Sequence, residues 1–114
     1  MRPLELALAL AGAAEDKKAV DIKVLKIDSL TVLSDYFVIC SGSSSTHIKT
    51  LAEEMEHRLE QMGVSPRGIE GRESGNWLLL DFGSVVAHVF MPETRAFYGL
   101  EHLWADGEIV DRGE

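Results

Sequence analysis

Bases are scarce in this chain. Its 114 residues hold 11 Lys and Arg against 19 Asp and Glu, a formal net charge of −8. The deficit is uneven: residues 1–50 balance, residues 51–75 carry six acids against three bases, and residues 76–114 seven against two. Neutralising phosphates takes clustered Lys or Arg, so little direct contact with nucleic acid is expected. A basic protein partner suits this field better, although on charge alone acidity that serves only solubility is the simpler explanation.

Cysteine is nearly missing too. Cys40 by itself cannot close an internal disulfide. It lies in the apolar run Tyr36–Ser41 with no basic neighbour to lower its pKa, which makes it a buried, inert thiol and points to a reducing compartment. No apolar stretch reaches the length that spans a bilayer. The N-terminal run of Leu and Ala imitates a secretory leader, but Glu5 interrupts it. Leu4, Leu8 and Ala11 with Leu6, Leu10 and Ala13 form two adjacent helical stripes, so an ordinary first helix is expected.

The signatures of catalysis are missing as well. Gly68-x-x-Gly71 lacks the spacing and the following helix of a nucleotide-binding loop, and His47, His57, His88 and His102 show no His-x-x-x-His pattern. A strand ending in Gly42-Ser43 before a helix has the form of a nucleotidyltransferase entry, where a helix N-terminus holds a triphosphate beside metal-binding carboxylates. The carboxylates are not there: Glu70 stands alone and Asp81 is on another strand. No catalytic residue, metal or cofactor is assigned, and the turn is taken as a helix cap.

What is present is a 46% hydrophobic chain of single-domain size. A helix is expected over residues 3–18 and strands over 21–27 and 36–41. The connection 28–34 should pack Leu30, Val32 and Leu33 over the core. A second helix reaches residue 62, with Ile48, Leu51, Ala52, Met55, Leu59 and Met62 at helical spacing, and Gly63 stops it. After a short strand at 67–70, Gly83-Ser84 forms a two-residue hairpin loop. That turn sets Trp77 opposite Phe90, Leu79 opposite His88 and Asp81 opposite Val86 on one face of the ribbon. Leu78, Leu80, Phe82, Val85, Ala87, Val89 and Met91 share the other face, which is wholly apolar and must be core. The mixed face is either an imperfectly covered side of the sheet or the part that meets a partner, and Asp81 and His88 on it are close enough to pair.

A last helix, 93–104, puts Phe97, Leu100 and Trp104 on a core stripe and Tyr98, Glu101 and His102 on another. Tyr98 and Glu101 with Trp77 and Asp81 would make an aromatic patch edged with acid; equally, these aromatics could simply fill core. Residues 105–114 lack periodicity and are expected to fray, leaving one domain over 1–104.

The run from Asp35 through Cys40, Gly42-Ser43-Ser44-Ser45-Thr46-His47, the Gly68-Ile69-Glu70-Gly71 loop, the Trp77 to His88 hairpin and the Phe97-Tyr98-x-Leu100-Glu101-x-Leu103-Trp104 helix resembles the ribosomal silencing factor (Iojap-related) family. The resemblance covers nearly the whole chain in the family's order. Ser84 departs from the family's usual Asp, and Gly99 sits inside the last helix. The resemblance implies an α+β, two-layer, nucleotidyltransferase-like fold: a mixed five-stranded sheet with flanking helices in the order α-β-β-α-β-β-β-α. It also implies a non-enzymatic cytoplasmic factor that binds the large ribosomal subunit through basic ribosomal protein fourteen of that subunit and blocks joining of the small subunit. Partner-binding residues would be Glu70, Trp77, Asp81, Tyr98, Glu101 and Trp104, with a homodimer among the states open to the free chain. The alternatives are a large-subunit assembly factor and a diverged nucleotidyltransferase.

Overall fold

Pro3, tolerated in a first turn because its missing N–H would be unpaired there, opens helix α1 (Pro3–Asp16). In this computed structural model, which describes residues 2–111, α1 buries Leu6 and Leu10 with Ala7, Ala11, Ala13 and Ala14, while Leu8 stays at the surface. Helix α2 (Ser45–Gln61) begins at Ser44, whose Oγ accepts the His47 backbone N–H at 3.0 Å. It buries five of the six positions read from its spacing, Ile48, Leu51, Ala52, Met55 and Leu59; Met62 is the C-cap residue and only partly buried. The His47 ring ties the two helices together: Nδ1 accepts from Ser43 N–H at 2.8 Å, so Nε2–H donates to the Lys17 carbonyl at 2.7 Å. Arg58 joins them again by donating to Asp16 and Glu54 at 2.7 and 2.8 Å.

Both helices pack on one face of a mixed sheet. Its strands are β1 (Val20–Lys26), β2 (Tyr36–Ser41), β3 (Gly68–Glu70), β4 (Trp77–Asp81), β5 (Val85–Phe90) and β6 (Glu108–Ile109), in the spatial order β3-β4-β5-β2-β1-β6. β2 and β5 run parallel at the centre and every other neighbouring pair is antiparallel. A parallel pair needs a long crossover, and α2 supplies it. The β4–β5 register is the expected one: Trp77 meets Phe90, Leu79 meets His88 and Asp81 meets Val86. On the helix-covered face Leu78, Leu80, Phe82, Val85, Ala87 and Val89 are all buried, with Val24, Val38 and Cys40 from β1 and β2 beside them. Each large side chain there contributes roughly 1.5 to 3 kcal/mol. Burial pushes the Cys40 thiol up to about 12, against a weaker pull from the Arg95 charge, so it stays protonated.

Five expectations fail. The α+β class holds, but the sheet has six strands rather than five. The stretch expected to fray turns at Gly107 and pairs Glu108 and Ile109 with Lys26 and Leu25; residues 112–114 of that stretch lie outside the described residues. A Cβ at Gly107 would stand 3.1 Å from two backbone carbonyls, those of Lys26 and Trp104, so glycine eases this close return. The last helix is two helices, α3 (Pro92–Tyr98) and α4 (Leu100–Leu103), because Gly99 takes the left-handed conformation (φ 55°) that ends a helix. Phe97, assigned to the core on unbroken helical spacing, is 81% exposed. Leu30, Val32 and Leu33 do not cover the core either: all three are exposed, Val32 completely.

Candidate functional site

The second face of the sheet carries three cross-strand rows. Ile109, Leu25, Phe37, Val86 and Asp81 form the first, Lys23, Ile39, His88, Leu79 and Glu70 the second, and Ser41, Phe90 and Trp77 the third. Only part of this face is roofed. Leu100 of α4 and the following Trp104 pack on a small core of Leu25, Ile27, Ile39 and Phe90. Trp104 meets Phe37 edge-on at 5.3 Å, and Tyr98 of α3 leans on Trp77 at 4.8 Å.

Arg95 clamps the roof to the sheet. Its Nη1–H donates to Ser41 Oγ at 2.9 Å and its Nε–H to Glu101 Oε1 at 2.6 Å, while Lys23 Nζ donates to the other Glu101 oxygen at 2.6 Å. One carboxylate thus joins α3, α4 and β1. The hydrogen bond from Arg95, helped by that from Lys23 and opposed by burial, holds the Glu101 carboxyl below its ordinary value. Glu101→Gln should leave the buried Arg95 without its counter-charge and cost about 1 to 3 kcal/mol. Urea unfolding at pH 7 checks this; an unchanged midpoint would show that the clamp carries no stability.

His88 is 4% exposed, and desolvation lowers its pKa to about 4, so the imidazole is neutral at pH 7. Trp77 Nε1–H can only donate, and it lies 3.2 Å from His88 Nδ1. The ring proton therefore sits on Nε2. The expected Asp81–His88 pair does not form: the Asp81 carboxylate instead accepts the Gly83 N–H at 2.8 Å and closes the hairpin turn. A short polar side chain two residues before a turn amide is the nearer and stronger competitor.

Sequence-expected site residues therefore all fall on one side of the molecule, but in different roles. Glu70, Asp81 and Trp104 border an open groove floored by Phe37, Leu79, Val86 and His88. Trp77 and Tyr98 line a neighbouring surface with Phe97. Glu101 is bound inside the clamp.

The family model described as ribosomal silencing factor during starvation matches residues 1–114. This chain belongs to the ribosomal silencing factor family. The Bacillus subtilis ribosomal silencing factor is 37% identical over 101 residues, 89% of this chain and 86% of that one. A crystal structure of a Chromobacterium violaceum protein superposes with a TM-score of 0.90 at 36% identity, covering 100% of this chain and 94% of its own. The mouse protein named mitochondrial assembly of ribosomal large subunit protein 1 is 37% identical over 83% of this chain, which spans 43% of it.

Within this family member, sequence reasoning missed Arg95 as the clamp and Phe97 as a surface aromatic. Both errors trace to Gly99. Treating it as a helix end, as its conformational freedom suggests, breaks the stripe that put Phe97 inside and brings Arg95 back towards Glu101.

Proposed function

We propose that this chain is a ribosomal silencing factor that docks through the α3–α4 side of its sheet on a basic protein of the large ribosomal subunit, protein fourteen of its intersubunit face. Bound there in the cytoplasm, it occupies space the small subunit needs and so represses translation. The observation that carries this reading is an aromatic cluster at the surface. Tyr98 leans on Trp77 and Phe97 on Tyr98, with Phe97 and Tyr98 both exposed and Glu70 and Asp81 on the same face of an acidic protein. Aromatics with few charges at the centre and acid at the edge suit an interface whose partner is basic. Steric exclusion needs occupancy rather than turnover, so no catalytic group is required.

Co-sedimentation with isolated large subunits tests the docking. Adding the chain before small subunits should suppress their joining, in proportion to occupancy. Full subunit joining at saturating chain would defeat the steric block. A second reading, a role in large-subunit assembly, is favoured by the name of the mouse relative. Preferential sedimentation with immature rather than mature large subunits would select it.

A further inference from the structure

The groove beside the aromatic cluster contains an unmet hydrogen-bond donor. With His88 Nδ1 occupied by Trp77, the imidazole proton is on Nε2, on the edge of the ring turned away from Trp77, and that nitrogen has no partner. A buried N–H without an acceptor is costly, and a structure that keeps one invites a ligand that satisfies it. His88 lines a groove of about 410 Å³ with Phe37, Leu79 and Val86 as its apolar floor. Glu70, Asp81 and Arg67 are its charged lining residues, and Leu33, 84% exposed, also lines it.

We propose that this groove receives an uncharged hydrogen-bond acceptor, a main-chain carbonyl or carboxamide carried on a loop of the protein partner, and that His88 Nε2–H selects it. The apolar floor accommodates the loop's carbon skeleton. The two rim carboxylates outnumber the rim cation Arg67, so the edge disfavours an inserted anion and a neutral acceptor on a basic protein is the occupant. The subsite is linked to the aromatic cluster, since the same imidazole holds the Trp77 indole through Nδ1. This inference rests on the docking reading and adds to it a determinant of specificity.

Two substitutions separate the ring's two nitrogens. In His88→Asn the side-chain oxygen can replace Nδ1 as the acceptor for Trp77, but the distal donor is lost. In His88→Gln the amide reaches the Nε2 position and restores a donor there. Affinity for isolated large subunits should fall about tenfold in the Asn variant, the effect of one unmet polar contact, and stay within about threefold of the parent in the Gln variant. Leu33→Trp, at an exposed lining position and away from the core, should obstruct the groove and weaken binding about tenfold while leaving the melting temperature unchanged. Parental affinity in His88→Asn or in Leu33→Trp would overturn the subsite, as would equal losses in the Asn and Gln variants, because that pattern marks a purely structural histidine. Failure of the parent chain itself to bind large subunits would defeat the docking reading, and the subsite with it.

Discussion

Leu80→Ala should destabilise the fold by about 2 to 5 kcal/mol. Leu80 has no exposed surface, sits between β3 and β5 in the sheet, and faces the layer formed by α1 and α2. Removing its branched end leaves a cavity that two packed layers cannot close. Urea unfolding should show a lower midpoint with an unchanged slope. Tyr98→Ala is the matched control: the residue is half exposed and contacts Trp77 from outside, so its loss should cost under about 1 kcal/mol while weakening large-subunit binding. A stable Leu80 variant beside an unfolded Tyr98 variant would reverse the two faces of the ribbon. Asp81→Asn is a cleaner probe of the rim charge than Asp81→Ala, since the amide oxygen can still accept the Gly83 N–H.

Acidification should be nearly as damaging. His88 titrates near its ordinary 6.5 in the unfolded chain but only at about 4 in the folded one, because burial penalises the imidazolium. Its depressed pKa therefore contributes stability that is complete above pH 6.5 and is lost as the pH falls to about 4, where the folded form also takes up the proton. The loss amounts to about 3 kcal/mol from this residue. Glu101, also depressed, adds a further loss as the pH falls through the carboxylate range. Unfolding free energies measured from pH 7 to pH 4 for the parent and for His88→Asn isolate the histidine contribution. Parallel profiles would mean that His88 is not buried as a neutral ring.

The hairpin was legible because a two-residue turn and a period of two leave one register, and that register alone sorts Leu80 from Asp81. α2 was legible for the same kind of reason, through six apolar positions at helical spacing, five of them buried, and a Ser cap. β6 was not, since two residues carry no period; only its pairing with β1 defines it. Leu30, Val32 and Leu33 were placed inside on hydrophobicity alone, which is a weak guide in a loop whose backbone must stay solvated. For the site, the sequence placed the expected residues on one side of the molecule but did not give the wiring. Glu101 and Asp81 both read as acids edging an aromatic patch, Asp81 also as a partner for His88, yet one neutralises Arg95 and the other caps a turn. Such local hydrogen bonds depend on geometry of a few ångströms that no spacing rule resolves.

The sheet ends in very little strand on either side. β3 offers three residues at one edge and β6 two at the other. Edges this short present too few unpaired amides and carbonyls to template another chain, a common safeguard against edge-to-edge aggregation. Recognition by strand addition, which reads backbone and tolerates many sequences, has little strand to use at β3 and β6. A partner docked as proposed would be read by side chains on the broad face of the sheet. Substitutions on that face should consequently alter which partner is chosen far more than substitutions along either rim of the sheet.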